Sequence, residues 1–164
     1  MIIQIDSREK ARAITKIIDE FDRQGIKHFV SKLWIGDYMS YDNPRLIVDR
    51  KQNLTELASN VCQQHERFRK ELVRAQENDV QLVILCENGH GIECMEDVIF
   101  WDNPRATKKV KKDGKWQTVN TKAMKGEVLY KILSTISEKY NVKFEFCTKE
   151  DTGKRIVEIL SNDG

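Results

Sequence analysis

Two aspartates and a lysine flank a turn in the segment GDYMSYDNPRLIVDRK. Asp37 stands before the turn, whereas Asp49 and Lys51 follow it and are separated by one residue. Side chains two residues apart in a strand point to the same face of a sheet, so Asp49 and Lys51 face together and Arg50 faces the other way. A turn between strands needs none of these charges, which raises the question of what chemistry they serve.

The chemistry that this pattern favours is hydrolysis of a phosphodiester with the help of a divalent cation. Neighbouring strands of a hairpin bring facing side chains close together, so the carboxylates of Asp37 and Asp49 approach each other. Two like charges in a partly desolvated site repel, and one takes up a proton unless a cation lies between them. Mg²⁺ or Mn²⁺ suits carboxylate oxygens and also binds phosphate oxygens. The Lys51 ammonium would then steady the attacking water or the developing charge.

Simpler interpretations of the same residues stay open at this point. Asp37 follows Gly36 and would serve equally well as a turn residue. Asp49 and Lys51 would also suit a solvated ion pair at the edge of a sheet. A third of the chain is charged, so an acid two residues before a lysine is weak support for a nuclease by itself.

These side chains must be positioned by the elements around them, which the apolar pattern predicts. Ile2–Asp6 is an apolar run typical of a central strand, and Val80–Cys86 is typical of a strand buried on both sides. Residues 33–50 are predicted to form a hairpin that turns at residues 41–44. Helices covering both faces of a sheet fit this order, so we expect an α/β fold with a central mixed β-sheet flanked by helices. The remaining predicted elements are helices around residues 14–25, 53–77, 129–136 and 148–160, and a strand at residues 142–146.

A basic insertion interrupts this pattern at about residues 88–120. Its sequence KKVKKDGKWQTV predicts an exposed β-hairpin that turns at Asp113-Gly114. Lysines neutralise backbone phosphates without reading sequence, and Trp101 or Trp116 would stack on an unpaired base. A disordered basic hairpin and a nuclear-import signal are the alternatives. The candidate DNA-binding residues of the insertion are Arg105, Lys108, Lys109, Lys111, Lys112 and Lys115.

Composition limits the remaining possibilities. A chain of 164 residues, 40% hydrophobic and with a net charge of +2, fits one folded domain over residues 1–164. No apolar run approaches the roughly 20 residues that span a bilayer, and a charged Asp6 argues against a signal peptide. We therefore expect no membrane partner and an intracellular location: the cytoplasm of a bacterial or phage-infected cell, or the nucleus of a eukaryote. The four cysteines include no CxxC pair, so no disulfide framework is expected.

Four segments of the chain resemble one family of nucleases. GDY followed by VDRK resembles the GD…ERK signature of the XPF-type structure-specific DNA endonucleases, which belong to the restriction-endonuclease-like superfamily. IDSRE resembles the first-strand motif of that family. HERFRKELVRA with VQLVILCE is similar to its helix and following apolar strand, and FCTKEDTGKRIVEIL to its closing strand and helix. The resemblance covers nearly the whole chain in the family's order and implies a restriction-endonuclease-like (PD-(D/E)xK) fold.

The resemblance also implies a set of metal ligands. Asp37 and Asp49 match the ligands of the family, and Asp6 and Glu9 match acidic neighbours at the end of the first strand. Mg²⁺ or Mn²⁺ is the implied cofactor. A simpler role for Glu9 is that of an acid in the first turn of a helix, where the helix dipole favours negative charge.

Further roles follow from the same comparison with the family. Lys51 takes the catalytic lysine position, and Arg50 matches the family arginine, which organises the site or its backbone. Arg8 and Arg67 are the implied phosphate contacts, although Arg67 also suits an exposed helix position.

The chain departs from the family pattern in three respects. The family commonly has glutamate where this chain has the shorter Asp49. The acid that the family places four residues after the lysine is Thr55 here, and the neighbouring Glu56 already has a structural role in a capping box with Asn53. Family members also commonly carry a tandem helix-hairpin-helix module, which this sequence lacks. A homodimer, the basic insertion or another polypeptide would then hold the substrate.

These inferences lead to one expected function and its rivals. We expect a Mg²⁺- or Mn²⁺-dependent endonuclease that hydrolyses phosphodiester bonds in branched DNA such as forks, flaps or Holliday junctions. Its small size would suit recombination or repair in a phage or mobile element. The alternatives are a catalytically silent DNA-binding or scaffold subunit of a nuclease complex, and a nuclease acting on RNA or single strands.

Overall fold

The computed structural model describes residues 1–162 and contains eight strands and five α-helices within them. None of those helices has both the length and the apolar character needed to cross a bilayer. The strands are β1 (Ile2–Ile5), β2 (Lys27–Val30), β3 (Tyr38–Ser40), β4 (Asn43–Lys51), β5 (Gln81–Asn88), β6 (Thr107–Lys112), β7 (Lys115–Asn120) and β8 (Lys143–Thr148). The helices are α1 (Thr15–Arg23), α2 (Leu54–Cys62), α3 (His65–Glu77), α4 (Gly126–Tyr140) and α5 (Thr152–Ser161), with short 3-10 turns at Met95–Phe100, Pro104–Ala106 and Lys149–Asp151.

A six-stranded mixed sheet forms the centre of the molecule, in the order β2-β1-β3-β4-β5-β8. β1 pairs in parallel with β2, and β4, β5 and β8 pair in parallel with one another. β3 runs antiparallel to both of its neighbours. Consequently β1, β4, β5 and β8 end at the same edge of the sheet, where β3 begins. The predicted mixed sheet flanked by helices is confirmed.

Each face of the sheet carries its own hydrophobic core. Ile47 and Ile84 point to a core completed by α2, α3 and α4. Val48 and Leu85 point to a core completed by α1 and α5. This alternation follows from the period of two in a strand. It explains why the β5 segment is apolar without interruption, since both of its faces are buried.

The predicted basic hairpin is present as a separate two-stranded sheet of β6 and β7. Its turn has positive φ at both central residues, 52° at Asp113 and 75° at Gly114. Such a turn matches the right-handed twist of the strands that it joins, and it favours Asp-Gly. The turn that the sequence predicts is therefore confirmed.

Two predicted elements are wrong in extent. The single helix predicted at 53–77 is two helices, α2 and α3. The polar stretch QQHER leaves no apolar residue to keep a continuous buried face, and the N–H groups of Gln63 and Gln64 both donate to the Ser59 carbonyl.

The predicted hairpin at 33–50 is also too long. Only Tyr38–Ser40 and Asn43–Lys51 are strands, because the chain bends before Tyr38 and Gly36 has a φ of +64°. The preceding strand β2 pairs in parallel with β1, and the side-chain amide of Gln4 donates to the Ser31 and Lys32 carbonyls beyond it.

Candidate active site

Acidic and basic side chains gather at the edge where β1, β4 and β5 end and β3 begins. Asp6 directly follows β1, Asp37 directly precedes β3, Asp49 lies near the end of β4, and Glu87 lies near the end of β5. A cleft at this edge is lined by the end of β4, by the residues that follow β1 and precede β3, and by side chains of α2 and α3. The topology thus brings together residues that are far apart in the sequence.

Asp37 is fixed opposite Asp49 by the backbone of β4. The N–H of Asp37 donates to the Val48 carbonyl at 2.8 Å, and the N–H of Arg50 donates to Asp37 Oδ2 at 2.8 Å. The Asp37 and Asp49 carboxylates are close enough for their negative charges to repel. Burial, and then the negative charge of Asp49, raise the pKa of Asp37 well above its ordinary value. The predicted approach of these two side chains is present in the fold.

Asp49 carries an oxygen that lacks a protein partner. The residue is only 4% exposed, and its Oδ1 lies 3.3 Å from Lys51 Nζ. Its buried Oδ2 has no hydrogen-bond partner within residues 1–162. A buried carboxylate oxygen in this state is costly unless a proton or cation compensates it.

The surroundings of Lys51 keep its side chain charged. Burial lowers the pKa of Lys51, but the negative charges of Asp49, Glu71 and Asp37 together outweigh that effect, so its pKa lies above the ordinary value. Nζ also lies 5.8 Å from the centre of the Phe68 ring. An ammonium group is therefore held beside the two carboxylates.

Glu71 is a residue of the site that the sequence did not reveal. It projects from α3, where its Oε1 accepts the Gly36 N–H at 3.3 Å and its carboxylate is close enough to Asp49 for the two charges to repel. Burial, and then the negative charge of Asp49, raise the pKa of Glu71 to about 7. The only local signal was an acid that borders the buried face of the helix, between Phe68 and Leu72.

The donor set fits a divalent cation. Asp37, Asp49 and Glu71 are three carboxylates against the single ammonium of Lys51, an excess of two negative charges when all are ionised. Within residues 1–162, no group of three acidic, histidine or cysteine side chains is arranged to enclose a metal ion. Mg²⁺ keeps several waters and commonly takes one or two protein carboxylates plus substrate phosphates, so the Asp37–Asp49 pair with its unpartnered oxygen suits it.

Arg50 points to the other face of the sheet, as the strand period predicts. Its Nε donates to Glu9 Oε2 at 2.9 Å, and its Nη1 donates to Glu87 Oε1 at 3.0 Å. The Tyr38 hydroxyl donates to the same Glu9 oxygen at 3.0 Å. These ion pairs are buried and tie β4 to β5 and to the segment after β1. Glu87 is a second member of the site that sequence reasoning missed, and metal ligation by Glu9 stays a prediction.

Each carboxylate oxygen of Asp6 accepts a hydrogen bond from a protein donor. Its Oδ2 accepts from Arg8 Nε at 2.6 Å, and its Oδ1 accepts the Leu33 N–H at 2.9 Å. Arg8 Nη2 also donates to the Leu33 carbonyl at 3.2 Å, so the pair fixes the chain after β2. The structure thus gives Asp6 a positioning role, and its predicted metal ligation stays a prediction.

The rim of the cleft is partly basic. Arg8, whose side chain is 60% exposed, and Arg67 both line it. The Glu56 carboxylate lines it too, but its Oε2 accepts the Gln52 N–H at 2.9 Å while Asn53 Oδ1 accepts the Glu56 N–H. Asn53 caps α2 as predicted, but the Glu56 carboxylate accepts the Gln52 N–H and not the Asn53 N–H that would complete a capping box.

Comparisons with known proteins agree with this architecture. The family model described as ERCC4 domain matches residues 5–159. A search of curated proteins gives no match. Among solved structures, the chain is similar to XPF from Aeropyrum pernix, with 16% identity and a TM-score of 0.66 over 98% of this chain and 63% of that chain. It is also similar to XPF from Aeropyrum pernix in complex with DNA, with 16% identity and a TM-score of 0.63 over 97% of this chain and 62% of that chain.

The structural likeness shows the fold. The chain spans less than two thirds of the length of each of these two chains, and it shares with them a mixed α/β fold of the restriction-endonuclease-like type. The fold class that the sequence predicts is confirmed.

Proposed function

The chain belongs to the ERCC4 domain family, and from this premise we propose that it is a divalent-metal-dependent DNA endonuclease that hydrolyses phosphodiester bonds in branched DNA. The observation that carries the proposal is the buried Asp49 Oδ2 without a partner, beside the Lys51 ammonium and beside Asp37, which the Arg50 N–H holds. Forks, flaps and Holliday junctions are the branched substrates that we propose.

Asp37 and Asp49 would hold the cation at the end of β4. When bound, Mg²⁺ or Mn²⁺ supplies Lewis-acid polarisation of the scissile phosphate. Lys51 Nζ donates hydrogen bonds to the attacking water or to the negative charge that develops on the phosphate. Glu71 holds or releases a proton near neutral pH, because burial and Asp49 bring its pKa to about 7. The four side chains thus divide cation binding, charge stabilisation and proton handling among themselves.

The Arg50 network positions this centre from the opposite face. Arg50 offers its backbone N–H to Asp37 and its guanidinium to Glu9 and Glu87. Because both interactions come from the residue between Asp49 and Lys51, the network fixes the strand that carries the ligands. We propose Arg50 as a positioning residue.

Substrate phosphates would contact the basic rim and the basic hairpin. Arg8 and Arg67 line the cleft, within reach of a phosphodiester that approaches Asp49. The hairpin residues Lys108, Lys109, Lys111, Lys112 and Lys115 are exposed, as is Arg105 at its root. Such contacts position a duplex without reading its sequence.

Cleavage of labelled DNA tests the proposal. We expect the wild-type protein to nick a fork, a flap or a four-way junction in Mg²⁺ or Mn²⁺ and to spare a continuous duplex. Asp49→Asn removes a ligand charge and should lower the rate about a hundredfold or more. Asp42→Asn is the matched control, because Asp42 is an exposed acid at the opposite end of β4.

Each outcome has a definite meaning. If the wild-type protein leaves every substrate intact in both metals, the enzyme proposal is wrong. Binding to branched DNA without cleavage would favour the silent DNA-binding or scaffold subunit. Equal cleavage of continuous duplex would contradict the preference for branches. The homodimer and the phage or mobile-element setting stay predictions, and sedimentation equilibrium tests the first of them.

A further inference from the structure

The β6–β7 hairpin projects from the domain without adding to either core. Every residue of its two strands is exposed except Val110 and Val119, which are half-buried. Neither valine belongs to the core on either face of the six-stranded sheet. The side chains of the hairpin are therefore available for a partner.

The register of the hairpin sorts its side chains into two different faces. Lys111 pairs with Trp116 and Lys109 pairs with Thr118, so these four side chains share one face. Lys108, Lys112 and Lys115 stand on the other face with the two valines and Gln117. Trp116 is 69% exposed. An exposed aromatic ring flanked by lysines is the combination that binds unpaired nucleotides, because the ring stacks on a base while the lysines neutralise phosphates.

The hairpin emerges beside the proposed active site. β5 ends at the same edge of the sheet as β4, and the chain that leaves this edge leads into the hairpin. The root of the hairpin, residues 103–105 and 122–124, shares a cleft with Ala58 and Cys62 on one side of α2.

The other side of α2 faces the active site. Glu56 and Asn60 of α2 line the cleft that holds Asp49. A helix is about 10–12 Å wide, and a six-residue strand is about 20 Å long. The tip of the hairpin and the active site therefore lie within about one turn of B-DNA, roughly 34 Å.

From these observations we propose that the Lys109, Lys111 and Trp116 face of the hairpin binds the branch point of the DNA substrate, with Trp116 stacked on an unpaired base. This inference rests on the proposed function and gives it a means of substrate selection. A continuous duplex offers only its phosphates to the lysines, whereas a branch also offers an unstacked base to Trp116. The hairpin thereby places the branch point within reach of the centre at Asp37 and Asp49.

Binding measured without catalysis tests this inference. Fluorescence anisotropy in EDTA compares a fork with a continuous duplex of the same length. Trp116→Ala should weaken fork binding about tenfold and leave duplex binding nearly unchanged, whereas Trp116→Phe should retain most of the fork preference. Tyr41→Ala is the matched control, because Tyr41 is an exposed aromatic residue at the far end of β3.

Two further measurements separate stacking from charge. Lys109→Ala combined with Lys111→Ala should weaken both DNAs and reduce the slope of log affinity against log salt by about two. A 2-aminopurine placed at the unpaired branch position should be quenched by the wild-type protein and by Trp116→Phe, but not by Trp116→Ala.

The inference is overturned if Trp116→Ala matches the wild-type protein on the fork, or if it weakens fork and duplex binding equally. Thermal unfolding confirms that each variant is folded. Running these binding titrations beside the cleavage assay in Mg²⁺ and Mn²⁺ distinguishes failure of this inference from failure of the proposed function. A Trp116-dependent fork preference in a protein that cuts nothing would support the inference and refute the nuclease.

Discussion

At the scale of single residues, the proposed centre depends on how three carboxylates share one buried space. The family commonly has glutamate at the position of Asp49, and aspartate is one methylene shorter. Glu71 lies on α3, accepts the N–H of Gly36 next to Asp37, and places a third carboxylate near Asp49. A cation bound at the proposed centre would therefore lie beside α3 as well as the hairpin of β3 and β4.

Metal binding should be visible as stabilisation. If Asp37 and Asp49 hold Mg²⁺ or Mn²⁺, the ion binds the folded state alone, and a concentration one hundred times the Kd adds about 2.7 kcal/mol to the free energy of unfolding. Differential scanning calorimetry should show a higher Tm with Mn²⁺ than with EDTA in wild type and in Asp42→Asn. The rise should be absent in Asp49→Asn. A wild-type Tm that is the same with Mn²⁺ as with EDTA would contradict metal binding by Asp37 and Asp49.

Stability of the metal-free protein should fall as the pH rises through the range of Glu71. Its pKa is about 7 in the folded protein against an ordinary 4.5, so the folded state binds more protons and is favoured at low pH. The free energy of unfolding in EDTA should therefore decrease between about pH 4.5 and 7. Burial and the negative charge of Asp49 raise the pKa of Asp37 too. Deprotonation of Asp37 should therefore also lower the free energy of unfolding as the pH rises.

Glu71→Gln isolates the contribution of Glu71 to this pH dependence. The variant has no proton to lose at this position, so its urea-derived free energy of unfolding should change less between pH 4.5 and 7 than that of the wild type. Glu66→Gln, in the exposed first turn of α3, is the matched control and should leave the slope unchanged. An identical slope in Glu71→Gln would show that Glu71 does not titrate in this range.

At the scale of elements, the bend before β3 is what aims Asp37 at Asp49. Gly36 has a φ of +64°, and a Cβ there would lie 2.5 Å from Ile47 Cγ2 and 3.0 Å from the Val48 carbonyl oxygen. Only glycine lets the bend rest directly on β4. The path of the chain into the short strand β3 therefore depends on the glycine at position 36.

Gly36→Ala should cost more stability than the same change at Gly25. Both glycines have positive φ, but a Cβ at Gly25 meets nothing within 4 Å. Gly25→Ala carries the backbone strain alone, about 1 kcal/mol, whereas Gly36→Ala adds crowding of about 1–3 kcal/mol. Chemical denaturation measures both, and the cleavage assay should show loss of activity in Gly36→Ala alone. Equal destabilisation by the two changes would contradict the close approach to β4.

At the scale of the whole molecule, the part that stabilises the fold differs from the part that we propose contacts the substrate. The two cores lie on the two faces of the six-stranded sheet and include no hairpin residue. The proposed cation centre lies at one edge of that sheet, and the hairpin extends beyond it. The hairpin should therefore be removable without loss of the fold.

A shortened hairpin tests that separation. Replacing residues 109–118 with Asn-Gly joins Lys108 to Val119, which are already paired across the ribbon. We expect the Tm to change by no more than a few degrees, because the deleted side chains bury little surface. Affinity for forked DNA in EDTA should fall more than tenfold. Unfolding of the shortened protein, or unchanged affinity, would contradict this division.

The amino-acid sequence by itself determined the features that local periodicity and turn chemistry encode. The period of two along β4 placed Asp49 and Lys51 on one face and Arg50 on the other. The Asp113-Gly114 turn follows from the tolerance of these residues for positive φ. The order of strands and helices, and with it the fold class, follows from the spacing of apolar residues.

Only the tertiary structure decided which distant groups complete the centre. Glu71 meets Gly36 across 35 residues, and Glu87 meets Arg50 across 37. The parallel pairing of β1 with β2 and the break between α2 and α3 likewise depend on what each segment packs against. Local sequence pattern carries no information on such contacts, because they arise when the strands align their ends at one edge of the sheet.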